Sequence, residues 1–472
     1  MIDELKSKNS EELVSESIKK AKETNVEINS FVTIIDNPEH INNEESPLNG
    51  IPYAAKDLFS TKDILTTGSS NILANYVPFY DATVIKRLKD AGAILIGKTV
   101  CDEFGLGGTG TTGHTGVVKN PWDITRGAGG SSSGSATSVA LGIVPFSLGT
   151  DTGDSVRKPA SFCGVVGYKP TYGLIPRYGV LPFASSLDHV GLFATCVKDA
   201  AVVTDAIKGF DGKDMTSLKT SENLTSGLNG IISGKKLFYI KELTDIEYYD
   251  NPSEEVISTL SLFKENIAKI KELGVEVYEE SLDEKIIDAL GPAYTIISCA
   301  EATSNLSMYT GINFGMRGVG NNIKDMIKDH RTKGFSSLIK RRLVIGSYVL
   351  EEKNQERYYL NACRVRQLVI DKMNEFLSKY DALIMPASFK APLLDAANDV
   401  ITESKKDVAS TLLIGNFGGY PSITIPCGFV DNMPVGLNLT GRVKGDKDLL
   451  NIAYGVEQKL GYAGQTVGGK HE

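Results

Sequence analysis

The sequence lacks the features that build metal sites, disulfide scaffolds and membrane spans. Its six cysteines stand singly with no Cys-x-x-Cys pair, which argues against a zinc site and a disulfide framework and fits a reducing cytosol. No run of about eighteen apolar residues occurs, and the N-terminal stretch MIDELKSKNSEELVSESIKKAKE is charged throughout. We therefore expect neither a membrane-spanning helix nor a secretory signal, and we predict a cytoplasmic protein.

An excess of positive charge is also missing. The chain carries 50 Lys and Arg residues against 58 Asp and Glu residues, a formal net charge of −8. A protein that binds nucleic acid by itself normally presents a basic face. We therefore expect any RNA to be held mainly by a partner. Histidine is scarce as well, with only five in 472 residues, which restricts catalytic schemes that need a histidine base.

Short β-like runs alternate with helical ones along most of the chain. The runs ILIGKT, VPFSLGTD, SITIPCGF and VGLNLTG are predicted strands, and TVIKRLKDAGA, ATSVALGI and SEEVISTLSLFKENIAKIKELG are predicted helices. A further helix is predicted over residues 10–24, capped by Asn9. This alternation predicts an α/β fold in which a mixed β-sheet is sandwiched between layers of α-helices.

We predict a single domain over residues 1–472, because the sequence shows no internal repeat and no long linker. Its parts are an N-terminal helical segment (1–45), a glycine- and serine-rich catalytic core (50–200), a more helical part (210–360) and a region of returning strands (380–460).

The run GAGGSSSGSATSVALG, residues 127–142, admits several interpretations. A phosphate-binding loop needs a lysine after its last glycine, and a dinucleotide fingerprint needs a third glycine where serine stands here. GSSSG formally matches a nucleophile elbow centred on Ser132, but the only late histidines are His330 and His471. A glycine-rich turn that merely caps a helix is a further possibility.

The remaining interpretation is a serine activated without histidine. The base would then be a lysine whose amine is neutralised by burial. Lys56 stands in the apolar segment GIPYAAKDLF and suits that role, although a single lysine is more often a surface residue with a buried stem.

A second unusual stretch, SLGTDTGDSVRKPASFCG, places small residues at 151–155 directly after a predicted strand. Small residues allow successive backbone N–H groups to converge, as an oxyanion hole requires. An ordinary turn followed by a helix cap would use the same residues.

Taken together, these segments resemble the amidase signature family. AAKD is similar to the family's lysine segment, GGSSSGSA to its glycine-serine run, and GTDTGDSVRKPA to its strand-turn motif. The resemblance runs from about residue 10 to 460. It implies a serine, cis-serine and lysine triad made of Ser155 as nucleophile, Ser131 as the bridging serine after a cis peptide, and Lys56 as base. It also implies an oxyanion hole of backbone N–H groups from Thr152, Gly153, Asp154 and Ser155.

The resemblance implies substrate-binding residues as well. Arg342 matches the arginine that binds a substrate carboxylate, and Tyr294 matches a substrate-binding tyrosine. The family's third substrate residue, an aspartate, falls on Ala409, with Asp407 two residues away.

Two further departures from the family pattern lie next to the triad. Ser133 and Asp154 stand where the family usually has glycine. We expect the Asp154 side chain to point away from the reacting atoms and the residue to contribute only its N–H.

The block CGVVGYKPTYGLIPRYGVLPFASSLDHVG is similar to the family members that serve as glutaminase subunits of tRNA-dependent amidotransferases. The similarity implies glutamine hydrolysis in a heterotrimer with subunits B and C. The ammonia would convert Glu-tRNA(Gln), with Asp-tRNA(Asn) as a second candidate acceptor. It implies no cofactor or metal in this chain, since the partner would bind ATP and magnesium and hold the charged tRNA.

Two alternative functions stay open. They are a free-standing amidase of small amides with the same triad, and a scaffold with a decayed site.

Overall fold

One eleven-stranded sheet runs through the computed structural model, which describes residues 2–395 and 407–467. Its strands are β1 (Phe31–Ile34), β2 (Pro52–Lys56), β3 (Ile94–Thr99), β4 (Phe146–Asp151), β5 (Val166–Lys169), β6 (His189–Ala194), β7 (Lys236–Ile240), β8 (Glu276–Glu280), β9 (Ala382–Pro386), β10 (Ser422–Val430) and β11 (Met433–Gly441). They lie in the order β1-β3-β2-β4-β6-β5-β10-β11-β9-β7-β8. The β2–β3, β2–β4, β7–β8 and β7–β9 pairs are parallel and the others antiparallel, so the sheet is mixed, as predicted.

Helices cover the sheet and connect its strands. They are α1 (Ile2–Leu5), α2 (Ser10–Ile28), α3 (Thr83–Asp90), α4 (Ser133–Ala140), α5 (Arg157–Cys163), α6 (Val197–Ile207), α7 (Glu254–Lys271), α8 (Glu284–Asn305), α9 (Ile323–Gly334), α10 (Ser337–Leu350), α11 (Glu352–Gln355), α12 (Asn361–Lys379), α13 (Leu412–Phe417) and α14 (Asp446–Leu460). Each helix within the described residues is too short or too polar to span a lipid bilayer.

The alternation of side chains along β2 shows why the sheet needs helices on both faces. Tyr53 and Ala55 belong to an apolar cluster with α3, α6 and α14, whereas Ala54 belongs to another with α2, α4 and α5. Successive residues of a strand point to opposite faces, so a strand that is apolar throughout is covered on both sides. The predicted α/β fold class is confirmed.

The N-terminal helix follows its predicted start and exceeds its predicted length. Asn9 caps α2 by accepting hydrogen bonds from the backbone N–H groups of Glu11 and Glu12, at 2.8 and 3.2 Å. The helix continues to Ile28, four residues beyond the predicted end, and stops where Asn29 adopts the left-handed conformation with φ 63°. Asparagine tolerates this conformation, so Asn29 ends the helix in place of glycine.

Strands β7 and β8 were not predicted from the sequence. The sequence of β8, EVYEE, is strongly charged, and the strand lies at one edge of the sheet with much of its surface in solvent. Charged residues are common on edge strands because they discourage pairing with other chains. The single-domain organisation over residues 1–472 stays a prediction.

The parallel pairing of β2 with β4 determines where the functional residues meet. Parallel strands end at the same edge of a sheet. Strand β2 ends at Lys56 and β4 ends at Asp151, so the lysine and the turn that follows Asp151 lie at one edge. Helix α4 begins at this edge directly after Ser131 and Ser132, which adds the glycine-serine run to the same place.

Candidate active site

The amine of Lys56 is fully buried and lies among three hydroxyl groups. Its Nζ is 2.7 Å from Ser131 Oγ, 2.8 Å from Thr150 Oγ1 and 3.0 Å from Ser132 Oγ. Burial lowers the pKa of Lys56 to about 8, while Cys101 and the carboxylates of Asp102, Asp151 and Asp188 oppose that shift.

The three contacts suit both protonation states of the amine. An ammonium group donates three hydrogen bonds, one to each hydroxyl oxygen. A neutral amine donates two and accepts one, so one hydroxyl must then donate to Nζ. Ser131 makes the shortest of the three contacts, and its proton can pass directly to Lys56.

The peptide bond between Gly130 and Ser131 is cis, as the family resemblance implies. The Ser131 carbonyl accepts a hydrogen bond from the backbone N–H of Asp102 at 3.1 Å. The departure at Ser133 lies at the first residue of α4, where its hydroxyl donates to the Val100 carbonyl at 3.4 Å. Ser133 therefore has a hydrogen-bond partner outside the group around Lys56.

Ser155 lies against the same segment through its backbone. Its carbonyl accepts a hydrogen bond from the N–H of Ser132 at 3.2 Å, and its side chain is buried. In the part of the chain that the structure describes, no hydrogen bond joins the hydroxyls of Ser131 and Ser155. Contacts of this kind often tighten only when substrate is bound.

The backbone N–H groups of residues 152–155 have no acceptor among the described residues. Thr150 N donates to Ser132 Oγ and Val156 N donates to the Asp151 carboxylate, so the chain is hydrogen-bonded on either side of this turn. Buried donors without partners are rare, and at this position they can bind a negatively charged oxygen.

Arg157 holds the turn in shape. Its guanidinium is fully buried and forms an ion pair with Asp151 at 2.9 Å. It also donates to the carbonyl groups of Gly153 and Leu412, both at 2.7 Å, and to Asn416 Oδ1 at 2.6 Å. Burial would raise the pKa of Asp151, but the guanidinium more than offsets this and holds that pKa below its ordinary value.

Asp188 supports the start of the turn. Its carboxylate accepts a hydrogen bond from Thr152 Oγ1 at 2.7 Å and from the backbone N–H groups of Phe183 and Ala184. This hydrogen bond fixes the side chain of Thr152. The backbone N–H of Thr152 has no acceptor among the described residues.

The carboxylate of Asp154 forms an ion pair with Lys158 Nζ one helical turn further along. Burial raises the pKa of Asp154, and the neighbouring ammonium acts in the opposite direction. The pairing gives the carboxylate a cationic partner, so that its negative charge beside the turn is compensated.

Tyr294 closes over the turn from α8. A Cβ atom added at Gly153 would lie 2.8 Å from Cζ of Tyr294, a contact that leaves room only for glycine. Burial raises the pKa of Tyr294, and the charge of Arg342 on α10 partly offsets that effect. The structure therefore places Tyr294 beside the turn, and the charge of Arg342 acts on Tyr294 and on Cys299 of α8.

The predicted aspartate position is apolar in the structure. Ala409 is buried, and its N–H donates to the Asp407 carboxylate at 2.9 Å, so Asp407 caps the short 3₁₀ helix Val408–Thr411. Burial acts to lower the pKa of Lys158, but the charge of Asp154 and, to a smaller extent, that of Asp407 raise it.

Comparison with known proteins shows the family of the chain. The amidase family model matches residues 12–450. The chain belongs to the amidase family. It is 39% identical to the A subunit of glutamyl-tRNA(Gln) amidotransferase from Thermoanaerobacter pseudethanolicus, over 97% of this chain and 95% of that protein. It is also 39% identical to the protein of the same name from Methanosarcina mazei, over 98% and 96% of the two chains.

A solved structure of this amidase family shares the fold. The crystal structure of the A subunit of glutamyl-tRNA(Gln) amidotransferase from Thermotoga maritima superposes with a TM-score of 0.82 and 34% identity, over 97% of this chain and 94% of that chain. The resemblance drawn from the motifs AAKD, GGSSSGSA and GTDTGDSVRKPA is therefore confirmed at the level of the family.

The nucleophile-elbow interpretation does not match the arrangement around Ser132. Its hydroxyl donates to the Thr150 carbonyl at 3.0 Å and accepts from Lys56. His330 lies on α9 with its ring against Gly311, where a Cβ would be 2.6 Å from the ring. His471 lies outside the described residues.

Sequence reasoning missed several residues of this amidase site. Thr150 contacts Lys56, and so does Ser132, which the sequence had suggested only as the centre of a nucleophile elbow. Arg157, Asp188 and Asn416 organise the turn. Arg157 carried a signal, since it stands inside the strand-turn motif GTDTGDSVRKPA. Asn416 carried none, because it lies more than two hundred residues away in sequence.

We expect Arg157→Met to destabilise the fold strongly. The change leaves the Asp151 carboxylate buried without its cation, which costs about 3–5 kcal/mol of the free energy of unfolding. Urea unfolding measures this loss, and Arg364→Met, which breaks an exposed ion pair with Glu356, is the control with a far smaller effect. Equal losses for the two variants would contradict the role given to Arg157.

We expect Asp154→Gly to retain activity, because its carboxylate is engaged with Lys158 rather than with the reacting atoms. The loss in kcat/KM should stay within about threefold, as for a partly exposed ion pair. Lys158→Met leaves the carboxylate unpaired beside the turn and should lower kcat more than Asp154→Gly does. Steady-state kinetics of amide hydrolysis measure both, and a larger loss for Asp154→Gly would contradict this assignment.

Proposed function

We propose that this protein is the glutaminase subunit of a tRNA-dependent amidotransferase, releasing ammonia from glutamine for the conversion of Glu-tRNA(Gln) to Gln-tRNA(Gln). The observation that carries the proposal is the contact of the buried Lys56 amine with Ser131 beside a turn of unpartnered N–H groups. Full-length similarity to proteins named as the A subunit of glutamyl-tRNA(Gln) amidotransferase supports the choice of substrate.

The proposed reaction begins with a proton relay. Neutral Lys56 accepts the proton of Ser131, Ser131 accepts the proton of Ser155, and Ser155 Oγ bonds to the side-chain amide carbon of glutamine. The carbonyl oxygen becomes negatively charged and accepts hydrogen bonds from the backbone N–H groups of residues 152–155. Each well-placed donor contributes about 2.7–4 kcal/mol to the stability of the transition state.

The second half of the reaction reverses the relay. The proton held by Lys56 returns through Ser131 to the departing nitrogen, the carbon–nitrogen bond breaks and ammonia leaves. Water then attacks the acyl-enzyme, with its proton taken by the same relay. Ser155 is restored and glutamate is released, so that the net reaction is glutamine plus water to glutamate plus ammonia.

Arg342 and Tyr294 are the proposed substrate-binding residues. A guanidinium binds a carboxylate through two parallel hydrogen bonds, which suits the α-carboxylate of glutamine. The ring of Tyr294 packs over Gly153, where it shields the developing oxyanion from bulk water.

The proposal includes a heterotrimer with subunits B and C. The partner would bind ATP and magnesium and hold the charged tRNA, which agrees with the net charge of −8 on this chain. We propose that this complex works in the cytoplasm, with aspartyl-tRNA(Asn) as a second candidate acceptor. The free-standing amidase of small amides stays the alternative, favoured by the alanine at position 409.

Ammonia release from glutamine tests the function. Lys56→Ala, Ser131→Ala and Ser155→Ala should each lower kcat by about 10²–10⁴-fold, because each breaks the relay. Ser138→Ala is a matched control, since that buried hydroxyl donates only to the Ser135 carbonyl on α4. Wild-type ammonia release by Ser155→Ala would overturn the site assignment.

The same assay distinguishes the two functions when it is run with and without partner subunits and charged tRNA. An amidotransferase subunit should co-purify with its partners and release ammonia faster in the complex. Full activity of the chain alone on small amides, without co-purifying subunits, would support the free-standing amidase instead.

The pH dependence follows from the protonation state of Lys56. Only the neutral amine accepts a proton, so kcat/KM should rise with pH through the lysine pKa of about 8 and level off above it. A pH profile of ammonia release from pH 6 to 10 measures the midpoint. A profile that is flat across this range would contradict the role of Lys56 as base.

A further inference from the structure

Asp102 is a buried carboxylate that the proposed reaction does not use. Its two oxygens accept five hydrogen bonds, from the N–H groups of Thr109, Gly110, Thr111 and Thr112 and from Thr112 Oγ1. Its side chain has no ion-pair partner among the described residues. An oxygen pair surrounded only by donors suits the ionised carboxylate, which can only accept.

The residue also contacts the segment that carries Ser131. Its backbone N–H donates to the Ser131 carbonyl at 3.1 Å. A Cβ atom added at Gly130 would lie 2.2 Å from Asp102 Oδ2, so the carboxylate lies directly against the cis peptide. The loop that the carboxylate binds crosses the same segment, since a Cβ at Gly110 would lie 2.6 Å from the Gly129 carbonyl oxygen.

We propose that Asp102 is a positioning residue for the hydrolysis, fixing the peptide that presents Ser131 to Lys56 and stabilising the ammonium that forms when Lys56 takes the proton. This inference rests on the proposed function. The two contributions act through different parts of the residue. The backbone N–H and the loop 109–112 fix geometry, whereas the carboxylate supplies negative charge among buried residues.

Four groups act electrostatically on the Lys56 amine. They are the carboxylates of Asp102 after β3, Asp151 at the end of β4 and Asp188 before β6, and the Cys101 thiol, which stays neutral near pH 8 because burial raises its pKa to about 12. Lys98, which lies on the strand next to Lys56, is paired with Asp57 at 3.7 Å.

The three carboxylates around Lys56 differ in their own surroundings. Asp151 is neutralised by Arg157, and burial raises the pKa of Asp188, a shift that the nearby Arg177 partly offsets. Asp102 has no ion-pair partner within 4 Å among the described residues, although the charge of Lys158 acts on it, and it directly contacts the Ser131 peptide. It is therefore the carboxylate whose removal should change both the position of Ser131 and the basicity of Lys56.

Asp102→Asn tests the proposal in the chain purified with its partner subunits, with ammonia release from glutamine as the assay. Loss of the Asp102 charge disfavours the Lys56 ammonium and so lowers the pKa of Lys56. The acid limb of the pH profile, where kcat/KM rises with pH, should therefore move to lower pH by roughly one unit. The plateau kcat should fall by about 10–100-fold, because the weaker base accepts the proton less readily. KM for glutamine should stay unchanged, since the Asp102 carboxylate is already bound by five donors of the loop 109–112.

Two further variants separate these effects from general destabilisation. Asp446→Asn is the matched control, because Asp446 is also buried and accepts hydrogen bonds from Tyr168 Oη and from the N–H and hydroxyl of Thr171. It should leave the acid limb in place. Thr112→Val removes one donor to Asp102 and keeps the charge, so kcat should fall severalfold with the acid limb unmoved.

The outcomes are distinguishable. An Asp102→Asn variant that folds and keeps the wild-type acid limb overturns the electrostatic contribution, and a Thr112→Val variant with wild-type kcat overturns the positioning contribution. If Asp102→Asn does not fold, as judged by circular dichroism, Thr112→Val still decides the positioning contribution. Failure of the wild-type complex to release ammonia from glutamine would instead contradict the proposed function.

Discussion

A buried lysine amine keeps its proton only when a negative charge lies close to it. This constraint on Lys56 determines the arrangement of the candidate site. The amine lies among three hydroxyls rather than against a carboxylate, and burial brings its pKa to about 8, within reach of neutral conditions. A direct carboxylate contact would keep the ammonium, whereas hydroxyls leave the amine able to accept a proton. Ser131 contacts the amine, and the turn after Asp151 lies at the same edge of the sheet. Glycines at 130 and 153 allow the close approach of the neighbouring side chains.

The carboxylates around the site are each stabilised by neighbouring groups, although they lie in or next to a buried turn. Asp151 is matched by Arg157, Asp154 by Lys158, and Asp102 by a loop of N–H donors. Each carboxylate is bound by groups other than the N–H groups of residues 152–155, which have no acceptor in the part of the chain that the structure describes. The departures at Ser133 and Asp154 are accommodated in the same way, through the Val100 carbonyl and the Lys158 ammonium.

Much of the fold and part of the site could be predicted from the sequence. The strands β3, β4, β9, β10 and β11 and the helices α2, α3 and α7 follow local apolar periodicity, which is a short-range property. Strands β7 and β8 escaped prediction because β8 is a charged edge strand whose pairing depends on distant segments. Thr150, which was missed, is an ordinary hydroxyl residue with no local signal, and Ser132 was noted only as the centre of the motif GSSSG.

The sequence by itself determined the family and the fold class, and it pointed to Lys56, Ser131 and Ser155 as the candidate triad, since these depend on motifs that are contiguous in the chain. The tertiary structure decided which groups surround each of them. Lys56 meets Thr150 only because β2 and β4 pair in parallel, and Asp102 meets Ser131 only because the segment after β3 lies against the start of α4. Hydrogen bonds and burial act through space over a few ångströms, whereas sequence patterns report only on neighbours along the chain.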